Sequence, residues 1–204
     1  MTGSAKKPDS MMDTVLVLAH GSGQPSDSPW MNMLSSELER LGASVHRFNF
    51  EYMTLAQKAG KPRPPSRLPK LTEEYRSVVE SLGGRQIFVA GKSLGGRVAS
   101  HLATEIEVAG WVAFGYPFHP PGKPEKLRTD HLPNLKCPGL ICQGERDPFG
   151  KREEVEALEL PDRLQIVWLP AGDHQFKATK RSGVTLEENI RKAAQATRNF
   201  MTQP

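Results

Sequence analysis

Gln86-Ile-Phe-Val-Ala-Gly-Lys-Ser-Leu-Gly-Gly-Arg97 decides how this chain is read. An apolar strand runs into Gly91-Lys92-Ser93-Leu94-Gly95, and a helix is expected to begin almost at once. A serine on so tight a strand-to-helix turn needs small neighbours on both sides, and Gly91 and Gly95 supply them. This is the G-x-S-x-G nucleophile elbow, which lifts the Ser93 hydroxyl above the end of a sheet. Two other readings compete. Gly91-Lys92-Ser93 could end a phosphate-binding P-loop, but that loop needs glycine at position 86, which is Gln. Alternatively, Gly95 and Gly96 only let a helix pack closely on the sheet.

Outward from the elbow, Thr14–Ala19 is a continuous aliphatic run, as expected of a strand buried on both faces. Ser28 and Pro29 open a helix whose Met31, Leu34, Leu38 and Leu41 share one face. Val45–Phe50 reads as the second strand. Between Glu51 and Lys70, Gly60, Pro62, Pro64, Pro65 and Pro69 predict a long irregular loop. Thr72–Leu82 is a predicted helix, the helix after the elbow extends to about Glu107, and Gly110–Tyr116 is the fourth strand. The proline-rich stretch 117–138 reads as a second irregular loop. Gly139–Gly144 and Leu164–Leu169 are strands five and six, and a capping box at Thr185 and Glu188 starts the last helix. Strands alternating with helices predict an α/β domain over 14–204: a mostly parallel sheet of about six strands with helices on both faces. Residues 1–13 read as a flexible N-terminal tail without the apolar core of a secretory signal.

The 204 residues carry 27 Lys and Arg against 23 Asp and Glu, a formal +4 that admits anionic ligands but gives no reason to expect a nucleic-acid partner. No apolar run approaches the ~20 residues of a membrane helix, so no membrane partner is expected. Cys137 and Cys142 fit no metal spacing and point to opposite faces of a strand; they predict reduced core thiols and a cytoplasmic protein.

A serine hydroxyl needs a base within hydrogen-bond reach, and sites in parallel α/β sheets form at the carboxyl ends of strands. Just past strand five stands Asp147, and just past strand six stands His174. Three strand ends thus deliver Ser93 as nucleophile, His174 as base and Asp147 as the acid orienting it. Asp147-Pro148 could instead only begin a turn, and Glu145 or Asp162 are weaker candidates for the acid. A tetrahedral intermediate also needs two N–H donors for its oxyanion. Leu94 supplies one, and Ser22, in the turn His20-Gly21-Ser22-Gly23, is expected to supply the other. Gly21 and Gly23 would let that turn approach the substrate, while His20 holds the turn by a hydrogen bond. Tyr116 and His119 are expected to line the pocket, with His131 also in the loop that could reach it. His46 and His101 read as packing or surface residues.

A dinucleotide-binding reading of Gly21-Ser22-Gly23 with Glu51 is weaker, because position 26 is Ser and the helix begins too late to receive a pyrophosphate. With the strand-end residues assembled in the order Ser93, Asp147, His174, the chain resembles the α/β-hydrolase fold from Thr14 to Met201. It is similar to small lidless members related to dienelactone hydrolases. It also resembles the hydrolase-like family that includes a domain of a non-specific-lethal chromatin-complex subunit. Leu18–Gly23, Gly91–Arg97, Gly115–Pro124, Gln143–Asp147 and Gly172–Lys177 carry that likeness. The resemblance implies a minimal α/β-hydrolase without a lid domain and the same three catalytic residues. Dienelactone hydrolases use a cysteine nucleophile, and position 93 here is Ser, so that activity is not implied.

The resulting expectation is a serine hydrolase acting on a small-molecule ester or thioester, with no cofactor and no metal. An inert binding scaffold with the same fold is the alternative. Lys58, Lys61, Arg63, Arg67, Lys123, Lys126 and Arg128 would favour anionic substrates if they rim the mouth; a solvated basic surface is the plainer reading.

Overall fold

The computed structural model describes residues 14–203. Its sheet has six strands, β1 (Thr14–Ala19), β2 (Ser44–Phe48), β3 (Gln86–Lys92), β4 (Gly110–Phe114), β5 (Gly139–Gly144) and β6 (Leu164–Leu169). They are ordered β2-β1-β3-β4-β5-β6, and every neighbouring pair is parallel. Alternate residues of β1 enter two different cores: Val15, Val17 and Ala19 one, Leu16 and Leu18 the other. That is why the run is apolar throughout rather than alternating.

On one face α1 (Pro29–Arg40) and α6 (Leu186–Met201) close the core with Met31, Leu34, Leu38, Ile190, Ala193 and Phe200. The other face is covered by α2 (Glu51–Ala59), α3 (Leu68–Ser81), α4 (Leu94–Glu105) and the short α5 (Arg152–Glu156). Cys137 and Cys142 are free and buried, one in each core, where burial pushes their thiols up to about 11 and about 12. No helix among the described residues is long and apolar enough to cross a membrane. The tail expected over 1–13 lies outside the described residues.

The structure corrects the irregular loop expected from Glu51 to Lys70. Residues 51–59 form α2, which ends at Gly60 in the left-handed conformation (φ 61°), and α3 begins at Leu68. The prolines at 62, 64 and 65 shape only the connection between them. Pro69 sits in the first turn of α3, where its missing N–H would have had no partner in any case. Lys70 and Glu51 pair across the two helices, and the Glu51 N–H donates to Glu74 Oε2 at 2.8 Å. The loop 117–138 has no α-helix, only a 3-10 turn at Leu132–Asn134, and Phe118, Leu132, Leu135 and Cys137 pin it onto the core.

Candidate active site

Ser93 occupies φ 49° and ψ −112°, a strained conformation for any residue with a side chain, between β3 and the first turn of α4. The glycines around it leave no room for substitution. A Cβ on Gly91 would lie 2.1 Å from the Gly95 carbonyl carbon, and one on Gly95 would lie 2.6 Å from the His20 carbonyl oxygen. Close contact between the elbow and the end of β1 is therefore built from backbone against backbone. The Ser93 N–H donates to Phe114 O at 3.0 Å, which ties the turn to β4.

Ser93 Oγ donates to His174 Nε2 at 2.8 Å, and His174 Nδ1–H donates to Asp147 Oδ2 at 2.7 Å. A carboxylate oxygen accepting from Nδ1–H fixes the tautomer in which Nε2 accepts the Ser93 hydroxyl hydrogen bond. Asp147 is fully buried, and its oxygens also accept from Gln143 Nε2 (3.1 Å) and the Phe149 N–H (2.9 Å). Burial holds His174 below the ordinary histidine value; the Lys92 charge pushes the same way, and the Asp147 hydrogen bond opposes both. The Phe149 ring lies over the imidazole with centroids 4.3 Å apart. Glu145, the other acid considered, is committed elsewhere: it accepts from the Ala171 N–H and pairs with Arg152.

His20 is fully buried, and both ring nitrogens are used. Nε2 accepts from the Phe50 N–H at 3.1 Å, so Nδ1 carries the proton and donates to Gly21 O. Burial lowers its pKa and keeps the ring neutral. Because C=O and N–H of one trans peptide point in opposite directions, anchoring Gly21 O turns the Ser22 N–H the other way. Tyr52 Oη donates to Ser22 O at 3.1 Å and steadies the same turn. At the elbow, Leu94 is the first residue of α4, where an N–H has no intrahelical acceptor.

A cleft of about 310 Å³ opens here, lined by Gly21, Ser22, Gly23 and Gln24, by Ser93 and His174, and by Trp30, Met31, Lys92 and Phe149. Tyr116 and His119, expected to line the pocket, do not. Tyr116 is fully buried against Trp111 and Phe118, with its hydroxyl donating to Arg128 O at 2.7 Å. His119, 3% exposed, lies beside Pro120 O and Glu154. Both belong to a chain that turns down onto the α3–α4 face after β4 instead of arching over the strand ends. His131 is likewise away from the cleft, stacked on His101 with centroids 3.6 Å apart. None of the seven basic loop residues lines the cleft.

Reasoning from sequence missed Trp30, Met31, Phe149 and Lys92. Three of these are apolar residues that pattern alone cannot separate from core. Lys92 carried a signal, a charged residue ending a strand buried on both faces.

A family model described as "Alpha/beta hydrolase domain" matches residues 12–202. Among solved structures, XC6422 from Xanthomonas campestris, described as an a/b serine hydrolase without lid, superposes with a TM-score of 0.68 at 19% identity, covering 97% of this chain and 87% of that one. The dienelactone hydrolase of Anabaena variabilis gives 0.65 at 21% identity, covering 92% and 84%. Est1E from Butyrivibrio proteoclasticus gives 0.66 at 14% identity, covering 96% and 91%. These likenesses concern the fold. No match was found among curated protein sequences.

Proposed function

Because the chain belongs to the alpha/beta hydrolase domain family, we propose that it is a serine hydrolase cleaving a carboxylic ester or thioester through an acyl-enzyme. The observation that carries this reading is the continuous hydrogen-bond chain Ser93–His174–Asp147, assembled from the ends of β3, β5 and β6.

In the first half-reaction Ser93 Oγ attacks the acyl carbon while its proton passes to His174 Nε2. Asp147 keeps Nδ1 protonated and stabilises the imidazolium. Collapse of the tetrahedral intermediate breaks the bond to the leaving alcohol or thiol, which takes the proton from Nε2. Water then repeats the sequence on the acyl-serine, releasing the carboxylic acid and restoring Ser93. The developing oxyanion is assigned to the N–H groups of Leu94 and Ser22. The first is free by its place at the start of α4, the second by the anchoring of Gly21 O. The cleft volume lies at the low end of the ~300–1,000 Å³ usual for ligand sites, and Trp30, Met31 and Phe149 give it apolar walls. Short, compact acyl groups fit it best. The nucleophile is a serine rather than the cysteine of dienelactone hydrolases, so simple esters are the first substrates to try.

Labelling with a fluorophosphonate probe, followed by a panel of p-nitrophenyl esters of increasing chain length, tests the reading. The wild type is expected to be labelled at Ser93 and to prefer short chains. Ser93→Ala should lose about 10³-fold or more in kcat with its fold intact. Ester hydrolysis by Ser93→Ala at the wild-type rate would refute it, whereas absence of both labelling at Ser93 and ester hydrolysis would favour a binding scaffold.

A further inference from the structure

Lys92 stands one residue before the nucleophile and is 5% exposed. Removing an ammonium from water costs several kcal/mol unless partners replace the water, yet no carboxylate among the described residues pairs with it directly. Its Nζ donates to His174 O at 2.7 Å and faces the rings of Trp30 (5.4 Å) and Phe176 (5.8 Å). Asp147 and Asp173 supply the negative field around it. A methionine would fill the same space without that penalty.

The loop it holds is bonded from within, where the Asp173 carboxylate accepts from the Gln175 and Lys177 N–H groups, and from outside. Between Pro170 and Lys177, Ala171 (φ 50°) and Phe176 (φ 66°) are non-glycine residues in the left-handed region. Side-chain donors from elsewhere in the fold clamp its carbonyls: Arg146 Nε on Ala171 O (2.8 Å), Trp30 Nε1 on Gln175 O (2.9 Å), Asn189 Nδ2 on Phe176 O (2.8 Å), and Lys92 Nζ on His174 O. Lys92 alone among them belongs to the strand that carries Ser93, so it joins nucleophile and base through a single side chain.

We propose that the Lys92 ammonium is a positioning residue for His174: it holds the main chain of the loop carrying the base and opposes a second positive charge on the imidazole. This rests on the hydrolase reading for its catalytic consequence. The carbonyl bond fixes where Nε2 meets Ser93 Oγ. The charge works against Asp147: the carboxylate favours an imidazolium, the ammonium disfavours it, and the ring stays a neutral base that later releases its proton readily. Burial pulls Lys92 down to about 8, with Asp147 and Asp173 pulling it back up. The charge is therefore present at neutral pH and lost in mildly alkaline solution.

The test compares wild type with Lys92→Met, Lys92→Gln and Lys92→Arg, using p-nitrophenyl acetate across pH 4.5–10. In the wild type, kcat should rise with pH through a value below the ordinary histidine one and decline through a second step near pH 8. Lys92→Met should lose about 10²-fold in kcat with KM within about threefold. Its acid limb should move upward, because the Lys92 charge that disfavours the imidazolium is gone, and the alkaline step should vanish. Lys92→Gln, which keeps a donor without the charge, should show the same pH shift with a smaller kcat loss. Lys92→Arg should keep the wild-type acid limb. Titrating the His174 imidazole by nitrogen NMR in Ser93→Ala, with and without Lys92→Met, reads the same electrostatic effect without turnover. An upward shift there supports the proposal even if no ester is hydrolysed, in which case the hydrolase reading alone fails. An unmoved titration, or a Lys92→Met enzyme with wild-type kcat and pH profile, overturns it.

Discussion

Replacing Gly95 by alanine tests whether backbone contact between α4 and β1 builds the site. The added Cβ would lie 2.6 Å from His20 O, 2.7 Å from Ala19 O and 2.9 Å from the Ala19 carbonyl carbon. Ordinary contact begins near 3.4 Å, so the elements must separate by most of an ångström. All three atoms are main chain, and no rotamer change relieves them. The end of β1 is held on both sides, by β2 and β3, so α4 has to yield. Overpacking of this kind costs ~1–3 kcal/mol, and a clash confined to backbone belongs at the upper end. The same displacement carries Leu94 N–H and Ser93 away from the Ser22 turn, and misplacement by about 1 Å costs ~10²-fold in rate. Gly23→Ala is the control: its Cβ meets nothing within 4 Å, and stability should stay within ~0.5 kcal/mol of wild type. Urea denaturation gives the first quantity and the rate of fluorophosphonate labelling the second. A Gly95→Ala protein with the wild-type urea midpoint, or a Gly23→Ala protein destabilised as much as Gly95→Ala, would refute the reasoning.

Tyr75→Phe should destabilise the fold by ~1–3 kcal/mol, because the buried hydroxyl accepts from the Ala90 N–H at 2.9 Å and lies 2.7 Å from Ala90 O and 2.5 Å from Val17 O. A change below ~0.5 kcal/mol in urea unfolding would contradict it. His101 and His131 are held down to about 4 and about 3, by burial first and then by repulsion from Arg97 and, for His131, from His101. The unfolded chain takes up those protons near pH 6.5 while the folded one does not. Stability should therefore fall as pH drops from about 6.5 toward 4, and a His101→Gln, His131→Gln double variant should show a shallower fall. Parallel profiles for the two proteins would count against this account.

The sequence by itself determined the elements whose signals are local. β1, β5 and β6 match their apolar runs to the residue, and Thr185 caps α6 by accepting from the Glu188 N–H at 3.1 Å. It also located Ser93, Asp147 and His174, because a parallel sheet puts the carboxyl ends of its strands at one rim and each residue lies just beyond such an end. Prolines misled where position mattered more than presence: Pro69 opens α3 instead of excluding it. What only the tertiary structure decided depends on direction. Trp30 and Met31 share a face that packs like any core stripe, and only the way α1 starts beside the elbow exposes part of it to the cleft. Tyr116 and His119 follow β4 by a few residues, as Asp147 follows β5, yet their chain turns into the core while Asp147 meets His174. The placement of Lys92 was hidden in the same way: a lysine in the letters becomes a buried side chain donating to the His174 carbonyl only when β3 and the loop after β6, 82 positions apart, are brought together.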